Sequence, residues 1–427
     1  MNFVPAILVA FVALAPRAQA DGEPGAVGGP PLALHAAKAL TCANEKAGSE
    51  VPEVIFDPVL VIEDGKITAI GKGGDVEIPE GAVEVDLGEA WLTPGMVDLH
   101  SHVGGSRGDI NDMVIQTNPG LRVAPAVIPG NDFLHVPIAA GVTTILFIPG
   151  SGTNIGGQGV LMKLGHKDYE DSLVRDPGSL KIAQGDNPTR WGYGMRRSLM
   201  AWNLSTVLRR GRAYADAWKA HQEEGGEAPE RALDLDVFRE LYARRTQVST
   251  HTQYYQLVLT TVTLLARDFG LPTYIDHGSF DSYLTGPLAK KHDVAAILGP
   301  RSIMAPSARF ETDGRIEGTA WGFENHGQDE VGFNTDAPVI PQEDLPVQAT
   351  MQVRFGFSHD RMQGLRGLTI VPARTAGIAD RVGSLEPGKD ADILVTTGDP
   401  VDPRTRIEAT YIDGIRFYDA ERDGRRW

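Results

Sequence analysis

Between Leu92 and Ala379 eight short apolar runs alternate with longer amphipathic stretches, and this rhythm leaves few architectures open. The runs are Met96 to Leu99, Thr143 to Ile148, Val160 to Lys163, Leu180 to Ala183, Gln247 to Thr250, Thr273 to Ile275, Ala295 to Leu298 and Val331 to Asn334. Each is strand-sized. The segments between them suit helices that return over a parallel sheet, and the clearest, Leu233 to Arg245, places Leu233, Val237, Leu241 and Tyr242 on one side. Repeated strand-helix units of this number fit a TIM-like (β/α)8 barrel over 92–379 better than an open doubly wound sheet. No dinucleotide fingerprint is present, because Gly150-Ser151-Gly152 and Gly156-Gly157-Gln158-Gly159 lack both the spacing and the strand-to-helix setting. These glycines are expected in a loop at the barrel mouth.

The flanks have a different texture. Val54 to Phe56, Val59 to Ile62 and Ile67 to Ile70 are short β-branched runs punctuated by Asp64-Gly65 and Gly71. The far end repeats the pattern, with Ala391 to Val395 and Ile407 to Ile412 leading to Asp413-Gly414. One small β-sandwich domain built from both chain ends is predicted, from 21–91 and 380–427. A flexible Gly/Pro/Ala-rich tail is expected to lead it, from Asp21 to about Leu32.

Residues 1–20 read as a signal peptide, because Phe3 to Leu14 is almost wholly apolar and Ala18-Gln19-Ala20 has the small-x-small pattern of a cleavage site. The expected destination is therefore periplasmic or secreted. The leader contains no Lys or Arg before Arg17, so a displaced start codon is the alternative. The apolar stretch is shorter than the ~20 residues of a transmembrane helix, so no stable membrane span is expected.

With 42% hydrophobic and 22% charged residues the chain has apolar material for a large core, and its net charge of −16 argues against nucleic acid as a partner. The run Arg209, Arg210, Arg212 reads as a solvated helix face. The single cysteine, Cys42, can form no internal disulfide and offers no thiolate metal motif.

Chemistry concentrates at predicted strand ends. His100-Ser101-His102 follows Met96 to Leu99 directly, and residues two apart on a strand point the same way, so both imidazoles can face one metal. His251, His277 and Asp336 each stand just beyond a predicted strand. In a barrel the C-terminal strand ends open on one face, where residues far apart in sequence converge. Any one of these three alone would read as a satisfied histidine or a capping aspartate; the set in this order does not.

Thr93-Pro94-Gly95-Met96-Val97-Asp98-Leu99-His100-Ser101-His102 resembles the first-strand motif of the amidohydrolase superfamily of metal-dependent hydrolases. Gly141-Val142-Thr143-Thr144 resembles that superfamily's second strand, Asn334-Thr335-Asp336-Ala337-Pro338 its eighth, and Gly383 to Ile393 the return into its β domain. The resemblance runs from about Leu32 to Tyr418 and is nearest to secreted, imidazolonepropionase-like members. It implies His100, His102, His251, His277 and Asp336 as metal ligands and Zn²⁺ as cofactor, two ions per chain, with other divalent cations possible. It also implies a carboxylated lysine bridging the ions, for which Lys181 is the first candidate and Lys163 the rival. Asp336 would shuttle the proton from the attacking water to the leaving nitrogen, in hydrolysis of an amide, small peptide or cyclic amide.

Two other readings stand beside this one. A mononuclear deaminase of the same superfamily would share the five ligands but carry a glutamate soon after the fifth-strand histidine, where this chain has Thr252-Gln253-Tyr254-Tyr255. A binding protein on a degenerate barrel is the other. For a small-molecule or small-peptide substrate, Arg190, Arg196 and Arg197 could clamp a carboxylate, and Tyr254 could lie over the metals or start the next helix. Exposed mouth loops would also allow a homo-oligomer.

Overall fold

The computed structural model describes residues 22–191, 196–300, 303 and 317–425, with the side chains of Asp186, Arg190 and Trp191 outside that description. The leader expected over 1–20 lies outside the described residues. Among those described, no helix is long and apolar enough to cross a membrane.

Among the described residues seven strands precede the barrel: β1 (Leu32–His35), β2 (Lys38–Leu40), β3 (Val54–Phe56), β4 (Pro58–Glu63), β5 (Lys66–Lys72), β6 (Val83–Asp86) and β7 (Trp91–Pro94). The barrel strands are β8 (Met96–Ser101), β9 (Val142–Phe147), β10 (Ile155–Lys163), β11 (Leu173–Ala183), β12 (Gln247–Thr252), β13 (Ile275–His277), β14 (Ala296–Leu298) and β15 (Val331–Phe333). Three more close the chain: β16 (Ile393–Thr396), β17 (Ile407–Ile412) and β18 (Ile415–Asp419).

The terminal strands form two sheets, ordered β5-β4-β1-β6 and β18-β17-β16-β7-β2-β3. The second joins both chain ends, because β16 pairs antiparallel with β7. Leu34, Leu60 and Ile62 of one sheet share a core with Leu92, Ile393, Val395 and Tyr411 of the other, as in a sandwich. The two Asp-Gly pairs make tight hairpin turns with both residues left-handed, at φ 47° and 75° for Asp64 and Gly65 and 49° and 75° for Asp413 and Gly414. That geometry matches the twist of the paired strands and is open to Asp-Gly at little cost. Residues 22–31, expected as a flexible tail, instead pack on the first turn, where Gly65 N donates to the Gly25 carbonyl at 2.8 Å and Gly28 N to Asp64 Oδ1 at 2.9 Å.

The barrel strands lie in sequence order from β8 to β15. The third departs from the expected pattern: β10 runs antiparallel to both β9 and β11. The reason is chain length, since residues 148–154 between β9 and β10 are too few for a parallel crossover, which takes about a dozen residues or more. A second consequence is that Gly156, Gly157 and Gly159 lie within β10 rather than in a loop. β8 and β15 share no regular ladder; their seam is closed by a Ser101–Ala337 bridge and by His102 N donating to the Ala337 carbonyl at 2.8 Å.

Alternation along the strands sorts side chains between the barrel interior and the helices outside it. Leu180, Ile182 and Val248 face outward into a core with Leu204, Leu208, Phe238 and Leu241. Ser179, Lys181, Ser249 and His251 alternate with them and are buried, with Ser179 Oγ 3.0 Å from Ser249 Oγ. The helix Arg197–Glu224 supplies much of that outer core through Leu204, Leu208 and Ala215, spaced four and seven apart along one stripe. On its opposite side Arg209 and Arg210 are exposed, while Arg212 is partly buried and donates to the Tyr242 hydroxyl at 3.2 Å. The helix expected over Leu233 to Arg245 is shorter, Asp236–Tyr242, and Leu233 is exposed.

Candidate metal centre

The residues His100, His251, His277 and Asp336 each present a ligand atom within 4.8 Å of the other three, and all are buried. They come from β8, β12, β13 and the residues after β15. His102, just beyond β8, joins them with its Nε2 3.2 Å from His100 Nε2 and 3.4 Å from Asp336 Oδ1. His277 Nε2 lies 2.8 Å from His251 Nδ1. Lys181, from β11, reaches the same point with Nζ 3.2 Å from His100 Nε2.

Outer partners orient three of the rings. His100 Nδ1 donates to Asp276 Oδ2 at 2.6 Å, His102 Nδ1 to the Ile148 carbonyl at 3.0 Å and His277 Nδ1 to the Gly299 carbonyl at 2.7 Å. With each Nδ1 committed as a donor, each Nε2 lone pair faces the centre, the tautomer a metal ligand needs. The backbone is constrained to match: His277 and Asp336 are non-glycine residues at φ 76° and 50°, a strained region that concentrates at functional sites.

Electrostatics agree with this role. Burial lowers His102 and His251, and burial together with His100 takes His277 to about 4, so these rings are neutral donors at pH 7. Burial would lower His100 too, but Asp276 and Asp336 outweigh it and raise the ring to about 9. A proton there occupies the position that a divalent cation would take by displacing it. Burial would raise Asp336, but His100 outweighs it and holds the carboxyl well below its usual range. Burial drops Lys181 from 10.5 to about 8, making a neutral amine accessible near neutral pH. Imidazole nitrogens with one carboxylate are a donor set that fits Zn²⁺ or a similar divalent ion.

The rival lysine lies elsewhere. Because β10 is reversed, its last residue, Lys163, pairs with Thr144 near the start of β9, at the end of the barrel opposite the histidines. There its Nζ binds Asp392 at 2.6 Å, Asp413 at 3.0 Å and Asp390 at 3.1 Å, tying the barrel floor to the C-terminal β segment.

Tyr254 precedes the helix Tyr255–Thr260 and stacks on Phe280, with centroids 4.6 Å apart and planes 2° from parallel. Each ring follows a histidine of the centre by three residues. The Arg197 guanidinium lies 5.8 Å from the Tyr254 centroid. The side chain of Arg190 lies outside the described residues. Asp276, Asn334 and Phe280 were not anticipated from sequence, although a charged residue inside the apolar run Tyr274-Ile275-Asp276 is a signal that a buried partner exists.

The profile of the Amidohydrolase family matches residues 239–416. A crystal structure of an amidohydrolase from Thermotoga maritima MSB8 superposes with a TM-score of 0.76 at 27% identity, covering 91% of this chain and all of that one. Amidohydrolase tasK of Hapsidospora irregularis is 26% identical over 396 residues, 84% of this chain, which spans only 40% of that relative's length. An imidazolonepropionase of Rhizobium rhizogenes is 23% identical over 372 residues, 80% of this chain and 87% of that protein. The family profile, the shared fold and the ordered barrel with its histidine and aspartate cluster together support the amidohydrolase superfamily for this chain.

Proposed function

We propose that this protein is a metal-dependent hydrolase that cleaves a C–N bond of an amide, small peptide or cyclic amide. The observation that carries the reading is the buried convergence of His100, His251, His277 and Asp336 within 4.8 Å, with His102 and Lys181 against the same point. His100, His102 and Asp336 would hold one Zn²⁺, His251 and His277 a second, with carboxylated Lys181 between them. Divalent cations in such a centre supply acidity to water, lowering its pKa from 15.7 to about 7, and polarise a carbonyl.

The chain's own groups do the rest. Neutral Lys181 amine can attack CO₂, forming an N–C bond and losing a proton, which turns a cationic side chain into an anionic ligand. Asp336 Oδ takes the proton from the attacking water and returns it to the leaving nitrogen. The Tyr254–Phe280 stack and the Arg197 guanidinium beside it would orient substrate, the cation suiting a carboxylate. No carboxylate follows His251 closely, which favours hydrolysis over ring deamination. The apolar run Phe3 to Leu14 supports export of the protein.

The test is elemental mass spectrometry on protein purified without chelator, followed by a screen of N-acyl amino acids, dipeptides and cyclic amides. Bound divalent metal with amide turnover that a chelator abolishes is the expected result. Protein that takes up no metal after reconstitution and turns over none of these would overturn the reading.

A further inference from the structure

The seam between β8 and β15 has no regular ladder, yet it must hold Asp336 against His100 at 3.1 Å. Side chains do this work. Asp98 Oδ2 accepts from the Thr335 hydroxyl, from Thr335 N at 3.3 Å and from Gln342 Nε2, while Oδ1 accepts from His100 N at 3.0 Å. The other end of the Gln342 amide accepts from Ser101 Oγ at 2.6 Å. Thr335 Oγ1 in turn accepts from Ala337 N at 3.1 Å and the Ala337 carbonyl accepts from His102 N at 2.8 Å, so both neighbours of Asp336 are tied to β8 or to the residue that follows it. Gln342, Asp98, Ser101 and Thr335 are all buried.

We infer that Gln342 is a positioning residue of the metal centre: its one amide spans Ser101 and Asp98 and locks the backbone that holds Asp336 in its left-handed conformation. The inference rests on the reading of this cluster as a metal centre. The backbone of Asp336, at φ 50°, has little intrinsic preference for that conformation, so it persists only where surrounding bonds over-determine it. Gln342 lies six residues from Asp336 on a separate 3-10 turn, Gln342–Asp344, and ties that turn to β8 through Ser101 and Asp98. Outer partners of metal ligands typically cost 10–100-fold in affinity when removed.

The experiment compares wild type, Gln342→Leu and Ser101→Ala at a temperature where each is folded. Zn²⁺ affinity is read by chelator competition, ligand-field bands by visible spectroscopy of Co²⁺-loaded protein, and folding by the thermal midpoint of metal-free protein. For Gln342→Leu we expect affinity to fall about tenfold or more with shifted Co²⁺ bands, in protein that still melts cooperatively. Ser101→Ala keeps the Gln342–Asp98 bond and should lose affinity by a smaller factor. Wild-type affinity and bands in Gln342→Leu would overturn the inference while leaving the metal centre intact. Should Gln342→Leu not fold, unchanged affinity and bands in Ser101→Ala would overturn it equally. Wild type that binds no metal would instead overturn the functional reading, and this inference with it.

Discussion

His100 Nδ1 and Asp276 Oδ2 meet at 2.6 Å between two barrel strands, with neither side chain exposed to solvent. Asp276 directly precedes His277, so one strand supplies both a candidate ligand and the orienting group for a candidate ligand on another. Asn334 Nδ2 donates to the second oxygen of Asp276 at 3.1 Å, which fixes the carboxylate as well. Asp276→Ala should weaken metal binding about 10–100-fold, and Asp276→Asn, which keeps an acceptor of the same shape, should weaken it less. Chelator competition measures both; equal affinities in all three proteins would show that His100 needs no such partner.

Lys181 should set the number of metals. Protein purified without chelator is expected to carry about two equivalents of divalent cation, falling toward one in Lys181→Ala. Growth with ¹³C-bicarbonate should add a carbonyl resonance in wild type that Lys181→Ala lacks. One equivalent in both proteins, with no added resonance, would make the centre mononuclear and the lysine a bystander.

Lys163 should matter for stability and not for metal. It faces three carboxylates while almost wholly buried, so Lys163→Met strands uncompensated charge and should cost about 3–5 kcal/mol, with metal stoichiometry unchanged. Denaturant unfolding and elemental analysis of the variant test the two halves separately.

The same cluster should make the fold acid-sensitive. Burial alone would raise Asp390 and Asp413, but Lys163 outweighs it and holds both below the usual carboxylate range, helped by Lys66 and His166 respectively. A carboxylate held low in the folded state contributes stability above about pH 4 that is lost as the pH falls through its folded value. Asp392, raised by burial, has the opposite sign and offsets part of this. Burial would lower Lys163, but Asp392, Asp413 and Asp390 raise it above its usual range, so its contribution persists into alkaline solution. The thermal midpoint of wild type should begin to drop below about pH 4 and keep falling toward the lower folded values of Asp390 and Asp413, more shallowly in Lys163→Met. Parallel profiles would show that the cluster does not govern acid stability.

The aromatic stack should act on binding more than on chemistry. Tyr254→Ala and Arg197→Met remove orienting contacts and no proton carrier, so KM for a carboxylate-bearing amide should rise about tenfold with kcat changed far less. A fall in kcat at constant KM would move Tyr254 into the reacting centre.

Much of the scaffold was legible because it rests on local rules. All eight runs overlap barrel strands, the sixth only at Ile275, and both Asp-Gly turns form, since period-two burial and turn conformation are read within a few residues. The five ligand candidates were legible for a related reason, as strand ends of a barrel open on one face. Of the helix Arg197–Glu224 only the face at Arg209, Arg210 and Arg212 was legible, because Gly211 and its many charged residues dilute the apolar stripe.

What the sequence by itself determined, then, is the ordered strand runs, the composite β domain and the histidines with Asp336 at strand ends. It ranked Lys181 ahead of Lys163 but could not place either in space, since each closes or neighbours the end of an apolar run. Strand direction decided that, and direction depends on a connection too short to cross the sheet, which sends Lys163 to the floor and leaves Lys181 beside His100. The bonds of Asp276 to His100 and of Gln342 to Asp98 likewise join residues 176 and 244 positions apart. Such partners are set by how strands stack around the barrel, and no local pattern records that stacking.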